Sequence, residues 1–328
     1  MLTLARHAMA TRFEMVLHGD DPVRLRAAGE EALDEVERLE SQLSLFRTSS
    51  EIAHLNARAA LEAVRVTPAL FALLEHAKVL HRETEGAFDI TIAPLVRCWG
   101  FMGGKGVVAK KAAVAAAMEI VGMQYVQLNR EERTVRFLRP GVMLDLGAIG
   151  KGYAIERAAE LLREAGITSA LLHGGTSTVY ALGCPPGAES WQVAIENPNA
   201  EHKPGAEDST GLAPLALVPL KDEALSVSAV WGRSFESGGK TYGHVIDPRT
   251  GQPANSAVCA AVVCDSATES DALSTALLTL GLDGHERIAQ LRRNMRTLVA
   301  AKEGAKLRVL AKGIFPANPQ MDWSQKPV

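Results

Sequence analysis

Residues 11–18, TRFEMVLH, alternate apolar and polar positions, the period-two pattern of a half-buried strand. Asp21-Pro22 then opens a helix to about Leu43, in which Leu25, Ala28, Ala32, Leu33, Val36 and Leu39 form one apolar stripe. Thr67-Pro68 joins a cap residue to a first-position proline and predicts a second helix ending near Gly86. A third helix is expected over 110–120. The runs YVQLN and TVRFLR, joined by a polar turn at 129–133, read as a hairpin. Val142 to Ala159, VMLDLGAIGKGYAIERAA, reads as a strand, a glycine-rich turn and an amphipathic helix stopped by Gly166. ITSALLHGG and WQVAIENP read as strands, as do 215–219, 224–228 and 258–264. Residues 266–281 predict a helix, and RTLVAAK and KLRVLAK a terminal hairpin closing on Glu303-Gly304. Strands in runs, with helices between only some of them, favour an α+β fold over a doubly wound sheet. The expectation is mixed sheets with flanking helices, in two intimately packed subdomains of one domain spanning 1–316. Residues 197–213, rich in Pro, Gly and charge, are expected to form a mobile surface loop, and 317–328 a disordered tail.

Composition narrows the function classes. The 328 residues are 47% hydrophobic and 22% charged, with net charge -3. No basic excess or basic stripe suits a nucleic-acid partner. No apolar run approaches the ~20 residues of a membrane span. The opening MLTLARHAMATRF lacks the apolar core of a secretory signal and a lipid-bearing cysteine, so the sequence as it stands reads as cytoplasmic. Cys98, Cys184, Cys259 and Cys264 are scattered, against a zinc knuckle or disulfide framework. His76 and His81, five apart, read as solvated helix surface.

The chemistry concentrates in a few stretches. A glycine-rich turn entering a helix is a common phosphate cradle, because first-turn N–H groups and the helix dipole favour an anion. Gly147, Gly150 and Gly152 would allow close backbone approach and positive φ, and Lys151 adds a cation. Gly152 after Lys151 excludes the Walker pattern, and G-x-x-G-x-G is not the dinucleotide fingerprint. The turn is thus either an anion site or a tight turn against a sheet. Asp271 and Thr275, four apart near a helix start, share a face and offer hard oxygen donors suited to Mg²⁺; otherwise Asp271 is a first-turn acid favoured by the dipole. His244, in GHVIDPRTG, is a general base, a phosphate donor or a turn histidine bonded to backbone. Asp89 binds a ligand or stops an edge. Phe46 offers a stacking surface or fills the core, and Arg47 is an anion partner.

Taken together and in order, LSLFR, GAFDITIAPL, LDLGAIGKGYAIER, HGG, GHVIDPRTG and DALSTALLTLG resemble the ApbE family, the FAD:protein FMN transferases, from Met9 to about Gly281. The resemblance implies Mg²⁺-dependent transfer of FMN from FAD to a Ser or Thr hydroxyl of a target protein, releasing AMP. It implies FAD contacts at Met9, Phe46, Ala87, Phe88, Asp89, Asp145, Lys151 and Ile246. It also implies a metal site of the Ala148 carbonyl, Asp271 and Thr275, with His244 as base. Four positions depart from the usual family text: Ala10 for glycine, Phe46 for a frequent tyrosine, Ser228-Ala229 where Ser-Gly is usual, and Thr176 after the glycine pair. Alanine at 229 would be strained if that position needs positive φ. Two other functions compete with the transferase: an Mg²⁺-dependent FAD pyrophosphatase releasing FMN and AMP, and a non-catalytic FAD-binding protein.

Overall fold

The chain opens on two strands, β1 (Leu2–Ala8) and β2 (Thr11–Leu17), joined by the two-residue turn Met9-Ala10. Helix α1 (Pro22–Leu43) is capped by Asp21, whose carboxylate accepts the Val23 and Arg24 N–H groups at 3.0 Å each. There follow α2 (Glu51–Arg58), β3 (Val64–Arg65), α3 (Pro68–Glu83), α4 (Ala93–Cys98) and α5 (Lys111–Met118). Strands β4 (Val126–Asn129) and β5 (Thr134–Phe137) pair as the expected hairpin, and β3 adds to β5. Helix α6 (Gly150–Glu164) leads into β6 (Ala170–Gly174), β7 (Thr178–Leu182) and β8 (Trp191–Ile195). Next come β9 (Ala216–Leu220), β10 (Glu223–Ala229), β11 (Ser234–Ser237), β12 (Lys240–Gly243) and β13 (Cys259–Cys264). Helices α7 (Ala267–Leu280) and α8 (His285–Ala289) precede the hairpin β14 (Arg296–Glu303) and β15 (Lys306–Lys312), with β16 (Ser324–Gln325) last. This computed structural model describes residues 1–104, 106–198, 213–232, 234–304, 306–317 and 324–325.

A nine-stranded sheet runs β1-β2-β6-β7-β10-β13-β14-β15-β16, antiparallel except for β16. Helices α1, α6 and α7 pack over one face, and the β8–β9 ribbon covers part of the other. Covering both faces explains why β13, CAAVVC, is buried along its whole length rather than alternating with water. Its Ala260, Val262 and Cys264 enter the helix-side core, while Cys259, Ala261 and Val263 enter the other. A third cluster joins α4 and α5 to Ile246 through Leu95, Trp99 and Val114. Among the described residues no helix is long and apolar enough to cross a membrane.

Strand register gathers three features at one end of the sheet. Ala8 pairs with Thr11, so the Met9-Ala10 turn lies there. Phe13 pairs with Gly174 and Gly174 with Thr178, which brings the HGG turn beside it. Ser226 pairs with Thr178, so Val227 to Ala229 project past β7 at the same end.

The α+β expectation stands, with local corrections. Residues 142–146 do not join a sheet. Leu144 instead gives its N–H to Asn56 Oδ1 at 2.8 Å and takes the Asn56 Nδ2–H at 3.0 Å, a side-chain amide replacing a neighbouring strand. The loop expected at 197–213 and the tail at 317–328 lie mostly outside the described residues; within the tail, Ser324 and Gln325 pair with Leu310 and Ala311.

Candidate functional site

The loop 145–149 is held by the backbone of a distant block and by its own first side chain. The Asp145 N–H donates to the Ile90 carbonyl at 2.7 Å, tying it to the GAFDI block. Asp145 Oδ1 accepts the Gly147 N–H at 2.8 Å, an Asx turn that folds the chain toward α6. Among the described residues no side chain caps α6. Its first-turn N–H groups are nevertheless partly spent: Gly150 donates to the Leu146 carbonyl at 2.7 Å, and Gly152 to Asp271 Oδ2 at 2.9 Å. The anion at the positive end of this helix is therefore the protein's own carboxylate, in the position that the dipole favours.

This corrects the role of the glycines. None of Gly147, Gly150 and Gly152 has positive φ. Gly152 is small because α7 presses against it: a Cβ there would lie 2.2 Å from the Ala267 carbonyl oxygen and 2.7 Å from Asp271 Cβ. The close approach is helix to helix. Lys151, at the helix surface, donates to the Gly147 carbonyl at 3.3 Å.

Asp271 is 4% exposed, and Thr275 sits one turn further along α7. The Thr275 hydroxyl donates to the Asp271 carbonyl at 3.3 Å and lies 3.2 Å from Ser228 Oγ. Ser228 also meets Ser274 Oγ at 2.9 Å, and two residues back Ser226 meets Ser270 Oγ at 2.7 Å. The helix-facing positions of β10 thus carry hydroxyls that continue toward Thr275. In the sequence Ser228 stands out only as a departure from the family pattern, and its period-two partner Ser226 is the signal that points to it. The fear for Ala229 is removed, because it pairs with Cys259 within β10 and has no positive φ. The strained alanine is Ala10, at φ 58° beside Met9 at φ 50°. Among the described residues no three His, Cys, Asp or Glu side chains gather as a metal cluster. Asp271 and Thr275 offer a carboxylate and a hydroxyl one turn apart on α7, hard-oxygen donors of the kind that suit Mg²⁺, and half-buried Ala148 lies in the loop that the Gly152 bond ties to Asp271.

The remaining candidates are placed less uniformly. Ala87 and Phe88 are buried, as is Ile246, whose backbone bridges to Pro253. Any ligand contact from these three uses backbone more than side chain. Asp89 is buried too, with Oδ1 accepting the Thr91 N–H at 2.7 Å and hydroxyl at 2.6 Å, and Oδ2 lying 3.2 Å from His81 Nδ1. Burial lowers the His81 pKa, but Asp89 and the Phe88 carbonyl outweigh it and the net shift is upward. His81 is therefore an internal ion-pair partner, and His76 bonds Glu269 at 2.9 Å; neither is merely solvated surface. Phe46 is 69% exposed in the α1–α2 connection, an available ring rather than core. Arg47 is bound to Glu40 and Ser41, both at 2.9 Å.

GHVIDPRTG is a turn built on Asp247. Its carboxylate holds Arg249 Nε and Nη2 at 2.9 Å each, and its carbonyl takes the Gly251 N–H at 2.8 Å. The Gly251 carbonyl accepts Trp99 Nε1–H at 2.8 Å, fixing the turn on the third core cluster. Arg249, absent from the sequence-derived set, reaches the GAFD block: a Cβ on Gly86 would lie 3.8 Å from its Cγ. His244 is partly buried and follows Gly243, which packs on Val230 just beyond Ser228-Ala229. Asp271, Thr275 and β10 are thus joined directly, Asp145 and Lys151 both bond Gly147 in the loop that Gly152 ties to Asp271, and the GAFD and HVIDPRTG blocks lie against each other. The hydrogen bonds that join the loop to α7 do not extend to Met9 or Phe46.

The ApbE family model matches residues 9–299. The FAD:protein FMN transferase of Klebsiella pneumoniae (strain 342) is 30% identical over 306 residues, covering 90% of this chain and 83% of that protein. That of Treponema pallidum (strain Nichols) is 31% identical over 273 residues, covering 79% and 73%. The crystal structure of the ApbE protein from Thermotoga maritima matches at a TM-score of 0.80 and 26% identity, covering 91% of this chain and 93% of that one. The apo flavinyl transferase ApbE of Pseudomonas stutzeri matches at 0.81 and 25% identity, covering 95% and 94%. On the extent of the family match, the sequence relatives and the shared fold, the chain belongs to the ApbE family.

Proposed function

We propose that the protein transfers FMN from FAD to a Ser or Thr hydroxyl of an acceptor protein, with Mg²⁺, and releases AMP. The observation that carries this reading is the bond from the Gly152 N–H to Asp271. It ties the DLGAIGKG loop, which carries Ala148 and Lys151, to α7, which carries Asp271 and Thr275, and so supports reading the four as one site. Asp271, Thr275 and the Ala148 carbonyl would hold Mg²⁺, which supplies charge neutralisation on a pyrophosphate when bound.

In the proposed step the acceptor oxygen attacks the FMN phosphorus and a new P–O ester bond forms. The bond from that phosphorus to the bridging oxygen breaks, and AMP leaves with the oxygen. His244 takes the hydroxyl proton as general base. Lys151 adds positive charge beside the departing phosphate. Phe46 offers its exposed ring to the flavin, and the 86–89 and 244–246 backbones line the same ligand.

Incubating the protein with FAD, Mg²⁺ and a candidate acceptor, then weighing the acceptor, tests the proposal. An added FMN moiety supports it. AMP without adduct indicates the pyrophosphatase, and FAD binding without either product the non-catalytic protein; both refute it.

A further inference from the structure

Gly152 and Glu156 lie one turn apart on α6 and so share the face turned to α7. Gly152 grips Asp271. Glu156 grips the beginning of the same helix: its Oε2 accepts the Ser266 hydroxyl at 2.6 Å and the Thr268 N–H at 2.7 Å. Ser266 is the N-cap of α7, and its own Oγ accepts the Glu269 N–H at 3.2 Å. The Thr268 N–H is one of the first-turn donors that no helical carbonyl can satisfy. One carboxylate oxygen from another helix thus completes the cap.

We infer that Glu156 is a positioning residue for the metal site, acting through α7. The inference rests on the assignment of Asp271 and Thr275 to Mg²⁺. Two attachments one turn apart fix both the axial position and the rotation of α7 against α6. Ser226 and Ser228 hold the middle of α7 to β10, while Glu156 holds its first turn to α6; without Glu156 that end can pivot against α6 and shift Asp271 relative to the Ala148 loop. Mg²⁺ demands near-ideal geometry from its ligands, so such a pivot weakens the ion more than it disturbs the fold. A carboxylate suits this task because it accepts a hydroxyl and an N–H together while adding negative charge at a helix N-terminus.

The test compares E156A, E156Q and E156D with wild type, and uses D271N as the control for the metal reading. Mg²⁺ is titrated calorimetrically into FAD-loaded protein, and separately against the transfer rate. E156A is expected to weaken Mg²⁺ by up to roughly 10-fold, the low end of what loss of a partner directly behind a metal ligand does, because Glu156 acts through α7; the loss should show in the Mg²⁺ dependence more than in the rate at saturating Mg²⁺. E156Q, whose amide oxygen still accepts both donors, should stay close to wild type. E156D, one methylene short, should fall between, and it decides the matter should E156A not fold. Unchanged Mg²⁺ affinity in E156A and E156D, with D271N losing Mg²⁺, overturns the positioning role alone. Wild-type Mg²⁺ affinity in D271N overturns the metal assignment and this inference with it.

Discussion

Replacing Gly152 with alanine probes the contact on which the site depends. The new Cβ would stand 2.2 Å from the Ala267 carbonyl oxygen. An ordinary C···O contact is about 3.3 Å, so α6 and α7 must separate by about 1 Å. Overpacking of that kind costs about 1–3 kcal/mol. The same movement stretches the 2.9 Å bond to Asp271, a hydrogen bond to a charged group, worth about 1.5–3 kcal/mol. Alanine's better helix propensity returns about 1 kcal/mol. The balance is a loss of about 1.5–5 kcal/mol, or a fall of roughly 2–7 °C in Tm for a chain of this size. Transfer should fall further than stability, since the displaced group is Asp271. Gly150→Ala is the control: its Cβ would meet only Leu146 Cβ, at 3.9 Å, so stability should hold or rise. Thermal melts followed by circular dichroism, with acceptor flavinylation measured below the transition, decide the matter. A G152A protein as stable and active as wild type, or a G150A protein equally damaged, would refute the reasoning.

Other outcomes follow from named contacts. Ala10→Gly relieves an alanine at φ 58° and should stabilise by about 1 kcal/mol, read as a higher Tm. His244→Ala should bind FAD with unchanged affinity, by fluorescence quenching, yet lose transfer. For Glu269, burial acts to raise the pKa, but hydrogen bonds and charge from His76 and Arg292 dominate and hold it at about 2, below its ordinary 4.5. Its contribution to stability is therefore complete above about 4.5 and lost as pH falls toward 2. Arg292→Met, which removes bonds of 2.7 and 2.9 Å, should move acid unfolding to higher pH. His81 is raised by its Asp89 partner, so the pair stabilises fully below the ordinary 6.5 and less as pH rises through the folded value. Asp89→Asn should lower the His81 midpoint in an NMR titration.

Periodicity and punctuation made much of the fold legible. The α1 stripe, the Thr67-Pro68 start and the Glu303-Gly304 turn have local causes, and the structure repeats them. What failed was whatever depended on a distant partner. VMLDL has a strand's composition, but Asn56 and Ile90, far away in sequence, take the hydrogen bonds of Leu144 and Asp145. His81 reads as solvated in the sequence because nothing in it shows that Asp89 faces the ring. The glycines of the loop suggested ligand approach, whereas Gly152 is required by α7, more than a hundred residues on. Asp271 and Thr275 were legible as a pair by helical spacing. That Ser228 joins them, and that Glu156 reaches Ser266, required the packing of β10 and α6 on α7.

The most direct test of the account is flavin transfer by D271N, an isosteric change whose amide oxygen can still accept the Gly152 N–H. Acceptor mass is measured after incubation with FAD in Mg²⁺ and again in chelator. The account predicts an FMN adduct for wild type in Mg²⁺ only, and none for folded D271N in either condition. Transfer by D271N at the wild-type rate, or by wild type in chelator, would contradict it.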